Sequence, residues 1–446
     1  MIRNTVTQNY LDMVERLGMP ANAMVDVARR EDVLDTTVYR GRCLTRPVFL
    51  DRAEHAELST DLLTLHAALT ELPNRLFGGD LGAFARAVGM TEGQTTAILR
   101  TRSDAPTRLG ATDIYHDGTA FRLMELNMGS TVGGLDNMVL NTAFLTHPPF
   151  AEFVADQRLG YADTFAELAH TLLTECKIPT GQRPFVAAAD WPASYAGLET
   201  RLKDSAARLG KLGIDIVPCH LGQLSVRDGR VWLHDRPVDL LYRIFLIEDL
   251  LDPGAPELID PVLRAAERGE IQIFTPLDAE LYGSKGALAM VSDEANRHLY
   301  TPEQLASLDR IVPWTRMVRP GPVTVDGEQV DLLEYAVAGR EDLILKPTLL
   351  HGGKGVVPGW LTEPDEWRRS LTTATDAPYI VQRRIRPETE PFPADDGLEP
   401  LVVNWRVFLS ANGYAGVIGR GIDDPDAGVS NIASGRGGTC CFHELP

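Results

Sequence analysis

Glu125 and Asn127 stand two residues apart in Phe121-Arg122-Leu123-Met124-Glu125-Leu126-Asn127, among the apolar Leu123 and Leu126. In a β-strand, residues i and i+2 point to the same face, so a carboxylate and an amide oxygen would project together from a strand end. Two hard oxygen ligands so placed suit Mg²⁺, which takes few protein oxygens and keeps positions for phosphates. Twelve residues upstream lies Asp113, just before His116-Asp117-Gly118-Thr119, a turn signal of the Asp-Gly type. Strand, turn and strand would set Asp113 beside Glu125, making Asp113, Glu125 and Asn127 candidate metal ligands. The pattern is equally that of an ordinary hairpin with polar residues at its exposed end.

A second stretch bears on the choice. Asp342-Leu343-Ile344-Leu345-Lys346-Pro347 is an apolar strand ending in a lysine, and Gly352-Gly353-Lys354-Gly355 follows at once. Backbone N–H groups of a glycine loop can approach phosphate oxygens closely, and Lys346 and Lys354 would add positive charge. The loop lacks the Gly-Lys-Ser/Thr ending of a Walker motif. Alone, it could be a flexible hairpin tip. A later strand, Pro378 to Ile385, carries Gln382 where a nucleobase could sit. Further on, Asn412-Gly413 is a hairpin signal between two strands, one carrying Arg406 and the other Arg420. Arginines inside apolar strands need anionic partners, either a ligand or a structural acid.

The elements that would position these residues are of mixed type. Up to about residue 100 the chain is mainly helical, with Ala/Leu-rich runs at helical spacing and a short β-like piece, Arg46 to Leu50. Leu135 to about Leu173 reads as helices broken at Pro148-Pro149. From about 178 to 285, strands at 185–189, 214–217, 231–233 and 238–243 with a helix over 195–212 predict a small parallel α/β domain. No Gly-x-Gly-x-x-Gly turn follows its first strand, so a dinucleotide site is not expected.

The 446 residues suffice for two or three domains, and 44% hydrophobic with 24% charged is a globular composition. A formal charge of −19 argues against nucleic acid or an anionic membrane as the main partner. No apolar run of about 18 residues occurs, so no membrane span is expected, and the first residues lack a signal-peptide core. Cys43, Cys176, Cys219, Cys440 and Cys441 are few, scattered and odd in number, which implies reduced thiols in a cytoplasm.

A strand ending in Lys-Pro, a glycine loop, a helix and a strand bearing Gln, combined with a Glu-x-Asn metal strand, resembles the ATP-grasp superfamily. The Glu-x-Asn strand precedes the glycine loop by more than two hundred residues, an order similar to the circularly permuted, glutathionylspermidine synthetase-type group. The resemblance covers separated blocks from about 108 to 446. It implies an α/β (α+β) permuted ATP-grasp fold with four parts: a helical region 1–105, a metal-binding part 106–177, a pre-ATP-grasp-like α/β domain 178–285, and a lid and nucleotide core 286–446. It implies ATP and Mg²⁺ as cofactors, with the metal on Asp113, Glu125 and Asn127. Lys285 and Lys346 would meet the nucleotide phosphates, Gly352, Gly353, Lys354 and Gly355 would form the lid, and Gln382 would lie in the adenine hinge. Arg420 would stand near the transferred phosphate, with Asn431 just beyond it. The group's arginine two residues before the metal aspartate is replaced by Ala111, so Arg406 or Arg108 would have to substitute. The implied activity is carboxylate–amine ligation through an acyl phosphate, with a small-molecule acid and amine as partners, no nucleic acid or membrane, and a homo-oligomer allowed. A phosphotransferase on the same fold and a non-catalytic nucleotide binder are the alternatives.

Overall fold

The computed structural model describes residues 2–31, 41–101, 105–129, 135–424, 426 and 435–445. Segments distant in sequence meet in one eight-stranded sheet. Gly397–Ser410 runs near its centre, antiparallel to Gly413–Ile422 on one side and to Gly110–His116 on the other. Phe121–Met128 closes one edge. On the far side Gly437–Glu444 pairs with Gly413–Ile422, and Val48–Leu50 lies parallel to it at the other edge. Thr389–Ala394 and Leu159–Gly160 complete the set.

Sequence chemistry sets the two hairpins that matter. Asp117 accepts from the backbone N–H groups of Thr119 and Ala120, and Gly118 takes φ +93°, so the chain reverses between the strands that carry Asp113 and Glu125. At Ala411-Asn412, Ser410 faces Gly413, whose φ of +99° a residue without Cβ adopts freely.

Cross-strand partners point to the same side of a sheet. Asp113 is opposite both Glu125 and Arg406, Asn404 is opposite Arg420, and Ala111 is opposite Asn127. All these residues therefore share one face. The other face carries Val403, Trp405, Val407 and Val417, buried against Leu58, Leu62 and Leu65 of the helix Arg52–Thr70. That helix starts with a capping box in which Asp51 and Glu54 exchange hydrogen bonds with each other's backbone. One face feeds the core; the other carries Asp113, Glu125, Arg406 and Arg420 together with the buried apolar residues Ala111, Phe408 and Ile418.

A separate four-stranded sheet is fully parallel, in the order Gln272–Phe274, Leu240–Arg243, Phe185–Asp190, Asp215–His220. Every residue of Phe185–Asp190 is buried, as befits a strand covered on both faces. Val231 to Leu233, expected among these strands, lies elsewhere. Leu224–Arg227, Arg230–Leu233 and Arg236–Pro237 form an antiparallel meander. The reason is the link lengths. Asp228-Gly229, both with positive φ, is a two-residue turn that joins only antiparallel strands.

The third sheet, Thr315–Met317, Tyr379–Arg383, Leu343–Pro347 and Val357–Pro358, is antiparallel. Trp367, on the helix Pro364–Ala374, is fully buried in the apolar cluster beneath it. The mixed α/β class expected from the sequence is the one observed.

Candidate functional site

The Phe121–Met128 strand departs from simple alternation. Asp113 faces Glu125 but Ile114 faces Leu123, leaving Met124 as an extra, unpaired residue. This bulge lets Leu123 and Leu126, three apart, both reach the core, while Met124, Glu125 and Asn127 stay less buried. Leu-x-x-Leu inside an otherwise alternating strand was the sequence signal for it.

Lys285 begins the helix Lys285–Ser292, capped by Ser284 through the N–H of Ala287. Gly283 brings that helix start against the strand. A Cβ there would sit 2.9 Å from Met128 N and 3.0 Å from Leu126 O. The close approach sets Lys285 Nζ 3.2 Å from Glu125 Oε2 and 3.1 Å from Leu350 O, while the Lys285 N–H bonds Thr348 O. Lys346, buried at the end of Leu343–Pro347, donates to Gln382 Oε1 at 2.7 Å and to Met124 O at 3.2 Å. Gln382 in turn donates to Thr315 Oγ1. The Gln382 side chain is thus spent on holding Lys346.

Electrostatics tie these groups together. Burial would raise the Glu125 carboxyl, but Lys285, Lys346 and His351 outweigh it and bring the pKa down to about 2. Burial and the neighbouring Lys285 push Lys346 down to about 8, against the pull of Glu125. Two lysines share one carboxylate, an arrangement short of negative charge.

Asp113 is buried, with Oδ2 2.8 Å from Arg406 Nη1 and Oδ1 3.3 Å from Arg420 Nη1. Arg406 is therefore at this face. Arg108 is not, because its guanidinium bonds Ala411 O and its backbone N–H bonds Glu175. In the glycine loop, Gly352, Gly353 and Gly355 all have positive φ, and Lys354 is exposed, 3.3 Å from Glu248. His351 Nδ1 lies 3.1 Å from Asn127 Oδ1, a link from loop to strand that the sequence did not suggest. Asn431 falls outside the described residues.

Beside Lys346 lies an open cleft. Its walls include Met124, Ile344, Val402 and Ile422, and Lys346 and Gln382 also line it. At its rim the Arg384 guanidinium sits 4.1 Å from the Trp360 ring centre. Its lining mixes these apolar side chains with Lys346, Gln382, Arg383, Arg384 and Asp424. Val402 and Ile422 are opposite each other, two residues from Asn404 and Arg420, so alternation along those strands could have found them.

Among the described residues, no three His, Cys, Asp or Glu side chains gather as a metal site. A cation here would rest on two carboxylates, the Asn127 amide and ligand oxygens. That donor set fits Mg²⁺ and not zinc. Each of these groups already has a protein partner: both oxygens of Asp113 meet arginines, Glu125 meets Lys285, and Asn127 Oδ1 meets His351.

No known family profile matches the chain. A protein of Frankia alni, provisionally named glutamate–cysteine ligase 2-3, is 30% identical over 271 residues, 58% of this chain. The chain spans 28% of that relative's length. Among solved structures, the apo form of a glutathione synthetase-like effector from Globodera pallida aligns over the whole of both chains with a TM-score of 0.56 and 11% identity. That likeness establishes a common fold. A structure provisionally named γ-glutamylcysteine synthetase, from Methylobacillus flagellatus KT, aligns over 88% of this chain and 87% of that one at 12% identity. Its TM-score is 0.39.

Proposed function

We propose that the chain is an ATP-dependent carboxylate–amine ligase on a permuted ATP-grasp core. The observation that carries the reading is the convergence of Glu125, Lys285 and Lys346, from three distant segments, beside the cleft. Two lysines around one carboxylate suit a polyphosphate, and the adjoining cleft suits its base. The ligase name of the Frankia alni relative and the glutathione synthetase-like fold support the class of reaction.

The roles follow from charge and position. Lys346 and Lys285 would bind β- and γ-phosphate oxygens, with Lys346 held ready by Gln382. Asp113, Glu125 and Asn127 would hold Mg²⁺, which supplies charge neutralisation on the phosphates. A substrate carboxylate oxygen attacks the γ-phosphorus, the bond to the β-phosphate oxygen breaks, and ADP leaves. The amine nitrogen then attacks the acyl carbon, the acyl C–O bond breaks, inorganic phosphate departs, and the amine proton passes to solvent. Arg406 and Arg420, oriented by Asp113, would stabilise the oxyanions formed in both steps. Closure of the Gly352–Gly355 loop would keep water from the acyl phosphate. No protein nucleophile is required.

The test is ADP release from Mg²⁺ and ATP with a panel of amino acids, using hydroxylamine in place of the amine. The reading expects ADP and a hydroxamate together, and loss of both in Lys285→Met and Arg420→Ala with the fold retained. ADP release without hydroxamate for every acid, or full activity in both variants, refutes it.

A further inference from the structure

In the parallel sheet, Phe185–Asp190 has Asp215–His220 on one side and Leu240–Arg243 on the other. The chain leaves the first strand in one direction and later returns on the opposite side. Open parallel α/β sheets bind ligands outside the carboxyl ends of their strands at such a switch point. Asp190 is the last residue of Phe185–Asp190 and is 2% exposed. Its Oδ1 accepts from the Trp191 N–H at 2.8 Å. Its Oδ2 is buried and has no hydrogen-bond partner among the described residues.

The surroundings of that oxygen are acidic. The turn Ile247–Leu251, which follows Leu240–Arg243, carries Glu248 and Asp249. Burial and the nearby Asp249 raise Asp190 to about 6, and burial, Glu248 and Glu280 raise Asp249. Arg243 answers Glu280, and Lys354 answers one oxygen of Glu248 while the other has no partner among the described residues. The bonds that Asp190 and Asp249 receive come from the backbone N–H groups of Trp191 and Leu246. A buried carboxylate oxygen without a donor is a costly arrangement unless a proton, a water or a cation meets it.

The acidic end also adjoins the site described above. Gly129, directly after the strand bearing Glu125 and Asn127, packs so close that a Cβ would lie 2.6 Å from Arg243 Nη2. Lys354 of the glycine loop reaches over to Glu248. We infer that Asp190 and Asp249 form a cation subsite that receives the ammonium group of the amine substrate. This rests on the ligase reading for the word substrate, and on the switch-point position and the unpartnered Asp190 oxygen for the subsite itself.

Ligand-observed NMR saturation transfer near neutral pH tests it with glycinamide, cysteamine and L-cysteine methyl ester as cations, and N-acetylcysteamine as the uncharged control. The parent should bind at least one cation and not the control. Asp190→Asn, which keeps the oxygen that caps Trp191, and Asp249→Asn should each weaken that binding about tenfold or more. A thermal melt like the parent's shows that the variants fold. Failure of all three cations to bind, equal binding of the control, or unchanged binding in both variants overturns the subsite. If the amines bind the parent but ADP does not, the ligase reading fails and the subsite stands.

Discussion

Replacing Lys346 by Met isolates the effect of holding a buried cation next to a second lysine. Lys346 is 8% exposed, and burial with the Lys285 charge brings it from the ordinary 10.5 to about 8. That displacement corresponds to roughly 3 kcal/mol weaker proton binding in the folded state. The folded value is depressed for a cationic group, so the penalty is fully present below about pH 8. It fades as pH rises from about 8 to 10.5, because the unfolded chain still binds a proton the folded one has lost. A polyphosphate beside the ammonium would restore the proton. Near pH 8.5 the free site is about one quarter protonated and the occupied site nearly fully so, an uptake of about three quarters of a proton. Phosphate groups, with a second pKa near 6, are already ionised there and contribute little. Calorimetric titration with ADP in buffers of different ionisation enthalpy reads the uptake directly. Lys346→Met should abolish it and weaken binding by about 1.5–3 kcal/mol, the worth of a charged hydrogen bond. The variant should be no less stable than the parent, since the lost penalty offsets the Gln382 oxygen left without its donor. ADP binding with no uptake in the parent, or equal uptake in Lys346→Met, would refute the placement of Lys346 on the phosphates.

Three further outcomes follow from the same geometry. Glu125→Gln should destabilise by about 1–3 kcal/mol, because it leaves Lys285 and Lys346 without their carboxylate. The Glu125 contribution is present above about pH 4.5 and is lost as pH falls toward about 2, so denaturant midpoints of parent and variant should converge in acid. Gly283→Ala should destabilise by about 1–3 kcal/mol through its contacts with Met128 N and Leu126 O, and should impair nucleotide binding by shifting Lys285; a thermal melt equal to the parent's contradicts this. Met124→Trp should fill the cleft and weaken ADP at least about tenfold while sparing inorganic triphosphate, which needs only the lysines; equal weakening of both ligands would place the base elsewhere.

Much of the site was legible because it rests on local chemistry. The Asp117-Gly118 and Asn412-Gly413 turns are encoded by residues that tolerate positive φ, and they fix which residues of each hairpin are opposite. Lys346 followed by a glycine loop is contiguous, so its spacing could be read directly. Other features depend on pairing between distant segments. The register that sets Arg406 against Asp113 joins residues 293 apart, and nothing in either strand alone specifies it. Sequence alone therefore leaves open whether Arg406, the candidate catalytic arginine, or Arg108 stands in for the arginine missing at Ala111. The Met124 bulge was visible in outline as Leu123 and Leu126 three apart, but which residue would be extra depended on the partner strand. Gln382 was legible as a polar residue in an apolar strand, while its bond to Lys346 required the neighbouring strand. Val231 to Leu233 has the composition of a strand, but the two-residue links around it decide that it joins an antiparallel meander and not the parallel sheet.

An acyl phosphate intermediate moves one carboxylate oxygen of the acid onto phosphate. The acid that supports ADP release is supplied with ¹⁸O in its carboxylates together with ATP, Mg²⁺ and an amine. Cleavage of an acyl phosphate at its acyl carbon predicts one labelled oxygen in inorganic phosphate for each amide formed. A stable phosphorylated acid with no inorganic phosphate, or amide accompanied by unlabelled phosphate, would contradict it.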